Sequence, residues 1–131
     1  NQQKDKRGMI TKIKIGIVGS RNYTDKKKIK ELIFEIKEKY GNEVEIVSGG
    51  QRDGADGFAK KYALEFNMHC ILPRGKYNKP YYISNYFQRN KQIAEYSNII
   101  IGFIPDGIES RGTMDTIRHG EKLKKMVKII N

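Results

Sequence analysis

Four short stretches of this 131-residue chain combine small residues with arginine or carboxylate at spacings that suit anion chemistry. They are Gly19-Ser20-Arg21-Asn22-Tyr23, the run Ser48-Gly49-Gly50-Gln51-Arg52-Asp53-Gly54-Ala55-Asp56, Arg89-Asn90, and Asp106-Gly107-Ile108-Glu109-Ser110-Arg111-Gly112-Thr113. Glycine allows a tight turn and lets a phosphate approach the backbone, where N–H and hydroxyl donors meet it. Arginine adds a planar fork that grips phosphate or carboxylate through two parallel hydrogen bonds. In the second stretch Asp53 can cap the following helix and Asp56 can favour its positive end. Three glycines exceed what one turn requires, so ligand contact is the expectation there.

Other chemistries find little support. The glycines at 16 and 19 do not form the G-x-G-x-x-G dinucleotide fingerprint, and neither a Walker A sequence nor a nucleophile elbow is present. His69 and His119 lack a Cys or His partner at ligand spacing, so neither a metal nor a resident cofactor is expected. Cys70 is the one cysteine, which excludes an intramolecular disulfide and reads as a small buried hydrophobe. Tyr77, Tyr81, Tyr82, Tyr86 and Phe87, beyond Arg74, can stack on a base or cover a sheet edge; packing is the commoner fate.

The elements that must hold these residues alternate regularly. Apolar runs at 12–18, 43–48, 69–72 and 98–104, with a last one at 126–130, read as strands. Between them, helical spacing appears in Ile29, Leu32, Ile33, Ile36 and Tyr40, and again in Ala55, Ala59, Tyr62, Ala63 and Phe66. Two more helices are expected over 86–96, with Phe87, Ile93 and Ala94 inward, and over 112–125. Thr24 or Asp25 caps the first helix and Gly41-Asn42 stops it. The pattern is β-α-β-α-β-α-β-α-β, hence an α/β, Rossmann-like doubly wound sheet of about five parallel strands in one domain. Residues 1–8 are expected as a flexible N-terminal tail and 9–131 as the ligand-binding domain. In such sheets ligands bind beyond the carboxyl ends of the strands, where Arg21, Arg52, Arg74 and Arg111 all fall.

Composition frames these motifs. Lys and Arg total 26 against 15 Asp and Glu, a net charge of +11. Such an excess suits nucleic acid or another polyanion, but also a merely solvated surface. Nineteen of the cations are lysines, mostly on helices and the tail, while four of the seven arginines follow strands. The distribution favours a small phosphorylated ligand over nucleic acid, which stays as the alternative partner. No apolar run approaches the ~20 residues of a membrane span, and residues 1–8 lack a signal-peptide hydrophobic region. A cytoplasmic protein without membrane contact is therefore expected.

At these residues the sequence resembles the SLOG superfamily, which includes the Lonely-guy phosphoribohydrolases and DNA-processing protein A, and within it the small YspA-type branch. The resemblance rests on Gly19-Ser20-Arg21-x-Tyr23-x-Asp25, Ser48-Gly49-Gly50-x-x-x-Gly54-Ala55-Asp56, Arg89-Asn90-Lys91 and Arg111-Gly112-Thr113-x-Asp115, in that order. It implies a nucleotide-type ligand held by Gly19, Ser20, Arg21, Tyr23, Ser48, Gly49, Gly50, Arg52, Gly54, Asp56, Arg89, Asn90, Arg111, Gly112 and Thr113, in a sensor or sequestering role. It also implies helix-mediated homo-oligomers. In the hydrolase branch a glutamate acts with an upstream arginine. Arg89 holds the arginine's place, but Thr116 holds the glutamate's and Asp115 lies one residue away. Adjacent helical positions point ~100° apart, so Asp115 is no simple replacement. Catalytic candidates are then Arg89, Asp56 and Asp115. An N-glycosidic hydrolase and a DNA-binding protein remain the two alternatives to ligand binding.

Overall fold

The computed structural model describes residues 3–4, 10–48, 54–71 and 83–131. Two short strands, β1 (Gln3–Lys4) and β2 (Ile10–Thr11), pair antiparallel, so part of the stretch expected as a tail takes part in a small ladder. The main chain then runs β3 (Ile13–Gly19), α1 (Lys26–Tyr40), β4 (Val44–Ser48), α2 (Gly54–Glu65), β5 (His69–Ile71), α3 (Ile83–Tyr96), β6 (Ile99–Phe103), α4 (Arg111–Lys122) and β7 (Met126–Ile130). The last five strands form one sheet in the order β5-β4-β3-β6-β7, parallel throughout. This is the expected Rossmann-like α/β architecture.

Each helix covers the sheet with the face its periodicity marks. Ile29, Ile33 and Ile36 of α1 join Ala59, Tyr62 and Ala63 of α2 over Ile15, Ile17, Val44 and Ile46. On the opposite face Ile93 and Ala94 of α3 and Ile117 of α4 pack on Val18, Val47 and Ile100. Fully burying one such aliphatic side chain contributes roughly 1.5–3 kcal/mol, so the two clusters hold helices that carry little propensity advantage of their own. Asp25 supplies the α1 cap, accepting from the Lys28 amide at 3.2 Å.

Two boundaries differ from the sequence reading. Helix α3 begins at Ile83 rather than 86, and α4 ends at Lys122 rather than 125. The α4 stop comes from Lys124, whose φ of 60° is left-handed without the glycine that usually signals it. Lys125 then turns back, its amide bonding the Gly120 carbonyl and its ammonium the carbonyls of Glu95 and Ser97.

The strand order has one consequence for function. The chain steps outward from β3 through β4 to β5, then crosses back to β6 on the other side of β3. The carboxyl ends of β3 and β6 therefore flank the topological switch point, where a crevice opens in folds of this kind.

Candidate functional site

Three strand ends converge at that switch point. Beyond β3, the Ser20 amide donates to the Phe103 carbonyl at the end of β6, at 3.3 Å. The Ser20 carbonyl accepts from the amides of Tyr23 at 3.1 Å and Ala55 at 3.4 Å, the latter in the first turn of α2. Glycine is needed at both sides of this junction. A β-carbon on Gly19 would lie 2.8 Å from the Phe103 carbonyl oxygen, and Gly54 sits at φ 72° with Arg21 against it. The side-chain oxygen of Ser20 accepts from the Asn22 amide at 3.2 Å, which rounds the turn and leaves Arg21 exposed at its tip.

Ser48 and Asp56 form the next layer. Ser48 is buried at the end of β4 and donates its hydroxyl to the Asp56 carbonyl at 3.2 Å, clamping the strand to the opening of α2. The Asp56 carboxylate, on the first turn of α2, is itself buried at 6% exposure. Burial there favours a fixed acceptor for a neighbouring donor over a base that must meet water.

Beyond β6, the loop 104–110 leads into α4. Ser110 is its N-cap, yet its side chain does not cap an amide; the hydroxyl bonds Thr113 Oγ1 at 2.6 Å instead. The first turn of α4, with Arg111 and Gly112, thus lacks a cap from the Ser110 side chain. A helix start in that state carries partial positive charge and suits an anion. A cleft of about 630 Å³ opens alongside, lined by Ile104, Ile108, Glu109, Ser110, Arg111, Met114, Asp115 and Arg118.

Helices α3 and α4 are tied together at this end. Asn90, 6% exposed, donates from Nδ2 to Asp115 Oδ2 at 3.2 Å, and Asp115 Oδ1 lies 3.6 Å from His119 Nε2. Asp115 and Asn90 therefore engage each other rather than standing apart as acid and ligand contact. Arg89 is half-buried one position earlier on α3.

The structure thus gathers Gly19, Ser20, Arg21, Ser48, Gly54 and Asp56 at one junction, and Asn90, Arg111, Gly112, Thr113 and Asp115 at the α3–α4 end. Gly49, Gly50, Arg52, Asp53, Arg74, Tyr77, Tyr81 and Tyr82 lie outside the described residues. Tyr23, expected as a ligand contact, is instead a core residue. It is 3% exposed, its ring lies 5.2 Å from that of Phe103, and its hydroxyl donates to the Asn131 main-chain oxygen at 3.2 Å. Burial, with the nearby Asp25 charge, pushes its phenol above the usual range. Sequence reasoning passed over Met114 and Arg118, although the spacing 111, 114, 118 is that of one helical face.

His69 has a partner of a kind not anticipated. The register places Lys14, Glu45 and His69 in one row across β3, β4 and β5. Glu45 is buried and its Oε2 lies 2.7 Å from His69 Nδ1, while Oε1 accepts from the Tyr96 hydroxyl. Lys14 Nζ sits 4.4 Å above the Tyr96 ring. Burial, and then the hydrogen bond and charge of Glu45, push the Tyr96 phenol up to about 12. Burial likewise raises the Cys70 thiol, with Lys60 opposing and Glu45 adding.

The fold and the switch-point junction define a Rossmann-like α/β domain. Two solved structures of the molybdenum cofactor carrier protein from Chlamydomonas reinhardtii share this fold with TM-scores of 0.62 and 0.61. Each is 18% identical in sequence; the aligned parts cover 90% and 92% of this chain and 76% of the carrier's. No protein-family model matches the chain, and no curated protein does. Among the described residues no helix is long and apolar enough to cross a membrane.

Proposed function

We propose that this protein binds a nucleotide or nucleotide-derived phosphorylated ligand at the carboxyl ends of β3, β4 and β6, as a sensor or sequestering domain. The observation that carries this reading is the junction itself: Gly19-Ser20-Arg21, the opening of α2 and the end of β6 meet at the switch point. The uncapped first turn of α4 and Arg111 follow from the same strand end. Strand ends that bring Arg21, Arg111 and the starts of two helices to one side of the sheet suit a phosphate bound by main-chain amides. The motifs that support it also support a place in the SLOG superfamily, nearest the YspA-type branch, in the cytoplasm.

The test is a thermal-shift screen with nucleoside monophosphates, ADP-ribose derivatives and cyclic dinucleotides. A ligand at 100 times its Kd stabilises by about 2.7 kcal/mol, enough for a clear rise in melting temperature. Absence of any shift at millimolar concentrations overturns the reading. Because the neighbouring fold belongs to a molybdenum cofactor carrier, that cofactor belongs in the same screen.

Hydrolysis fits less well. Asp56 is buried, and Asp115 is engaged by Asn90 and His119, whereas a general acid or base must reach the reacting sugar or water.

A further inference from the structure

We propose that Asp106-Gly107, in the loop between β6 and α4, is a site of spontaneous backbone modification at which the aspartate converts to isoaspartate. No ligand is involved: the chemistry needs only the chain and water. The Gly107 amide nitrogen attacks the side-chain carboxyl carbon of Asp106. A C–N bond forms there as the C–OH bond breaks, and the hydroxyl leaves as water with the amide hydrogen. Water then opens the resulting succinimide ring. Addition at the side-chain carbonyl restores aspartate, whereas addition at the main-chain carbonyl leaves the backbone running through the β-carboxyl group, one methylene longer. Glycine favours the first step, because no β-carbon hinders approach to its nitrogen or the backbone rotation that approach requires.

Three Asp-Gly steps occur in the chain, at 53–54, 56–57 and 106–107, so sequence alone does not choose among them. Asp53 lies outside the described residues. The other two steps differ in the freedom of the peptide group that joins the pair. Asp106 and Gly107 are the exposed middle residues of a turn closed by the Ile108 amide on the Pro105 carbonyl at 3.2 Å. Gly107 has a φ of 76°, the left-handed value a type II turn takes at its third residue, and nothing lies within 4 Å of where its β-carbon would be. The peptide joining 106 to 107 is the central one of this turn, and its rotation converts type II to type I without breaking the closing bond. Among the described residues neither this peptide nor the Asp106 carboxyl has a hydrogen-bond or ion-pair partner. The Asp56-Gly57 peptide is the opposite case. It lies in the first turn of α2, its carbonyl accepts from the Ser48 hydroxyl at 3.2 Å, and Asp56 is 6% exposed. Attack there requires local opening of the helix.

The purified protein is aged at neutral pH and about 37 °C, once folded and once in denaturing urea. Peptide mapping separates isoaspartate from aspartate by retention at equal mass, and a protein isoaspartyl methyltransferase counts the altered sites. In the folded protein isoaspartate is expected at 106 at about ten times or more its level at 56, while in urea the two steps approach equality. Asp106→Glu keeps the charge but would have to close a larger, slower-forming imide ring, so the methyltransferase signal should drop by the share of that site. The position is exposed, and an unchanged melting temperature verifies that the variant is folded. Folded protein that leaves Asp106 intact, or that alters Asp56 as fast, overturns the proposal, and so does a methyltransferase signal undiminished in Asp106→Glu. An equal preference for 106 in urea overturns it as well, because the turn would then play no part.

Discussion

Gly54 faces Arg21 so closely that a β-carbon on the glycine would stand 2.7 Å from the arginine's Cα. The two residues belong to different strand-end loops, and their approach is what brings those loops together. Gly54→Ala introduces both a steric clash with backbone and an L-residue at a φ of 72°. The left-handed conformation costs about 1 kcal/mol and the displaced backbone about 1–3 more. Urea unfolding is expected to show a loss of about 2–4 kcal/mol, and any nucleotide-induced thermal shift should shrink with it. A loss below about 0.5 kcal/mol would mean the junction is looser than described.

The Tyr96 phenol provides a pH signature. Its folded value of about 12 lies above the ordinary value of 10.0, so the folded state holds the proton more tightly than the open chain. The stabilisation is complete below pH 10 and disappears as the pH rises through 12. Wild-type stability is therefore expected to fall more steeply between pH 10 and 12 than that of Tyr96→Phe, as read by denaturant midpoints at each pH. Parallel curves for the two proteins would show that burial and Glu45 together do not hold the phenol proton in the folded state.

The tie between Asn90 and Asp115 should be measurable as a coupling. Each alanine substitution is expected to cost about 1–2 kcal/mol, because each leaves a polar group in a largely buried setting without its partner. A double-mutant cycle should return a coupling of about 0.5–1 kcal/mol. Strict additivity would show that α3 and α4 are held by packing alone.

Charge position predicts a separation between polyanion and small-ligand binding. Lys26, Lys27 and Lys28 are exposed at the start of α1, and a triple change to Gln removes three positive charges there. Affinity for duplex DNA, measured from 50 to 200 mM salt, should fall and its log–log slope flatten by up to about 0.9 per lost phosphate contact. Nucleotide affinity should stay within about twofold. An equal loss of both would place the small ligand on the lysine surface instead of the strand ends.

The order of strands and helices was legible because each element carries its own periodicity; the apolar run through Ile99, Ile100 and Ile101 announced the strand beside β3. What escaped was whatever depends on elements meeting in space. Tyr23 beside Gly19-Ser20-Arg21 looks like a stacking residue until Phe103, eighty positions later, is found packed against it. The pairing of Glu45 with His69 comes from strand register and leaves no mark at either position. The end of α4 was misjudged because Lys124 adopts a backbone conformation its residue type does not advertise. Arg118, by contrast, was accessible to sequence reasoning, through its helical spacing from Arg111.

The central position of β3 also bears on how the chain reaches this state. β3 pairs with β4 on one side and β6 on the other, and the Lys14 amide bonds the Asn98 side chain 84 positions away. During synthesis, one edge of this central strand stays open until residues 99–103 have left the ribosome. Pairings so distant in sequence slow folding, and exposed strand edges invite association with other chains. The same strand order that puts the switch point beside β3 therefore makes the nascent protein dependent on completing its second half quickly.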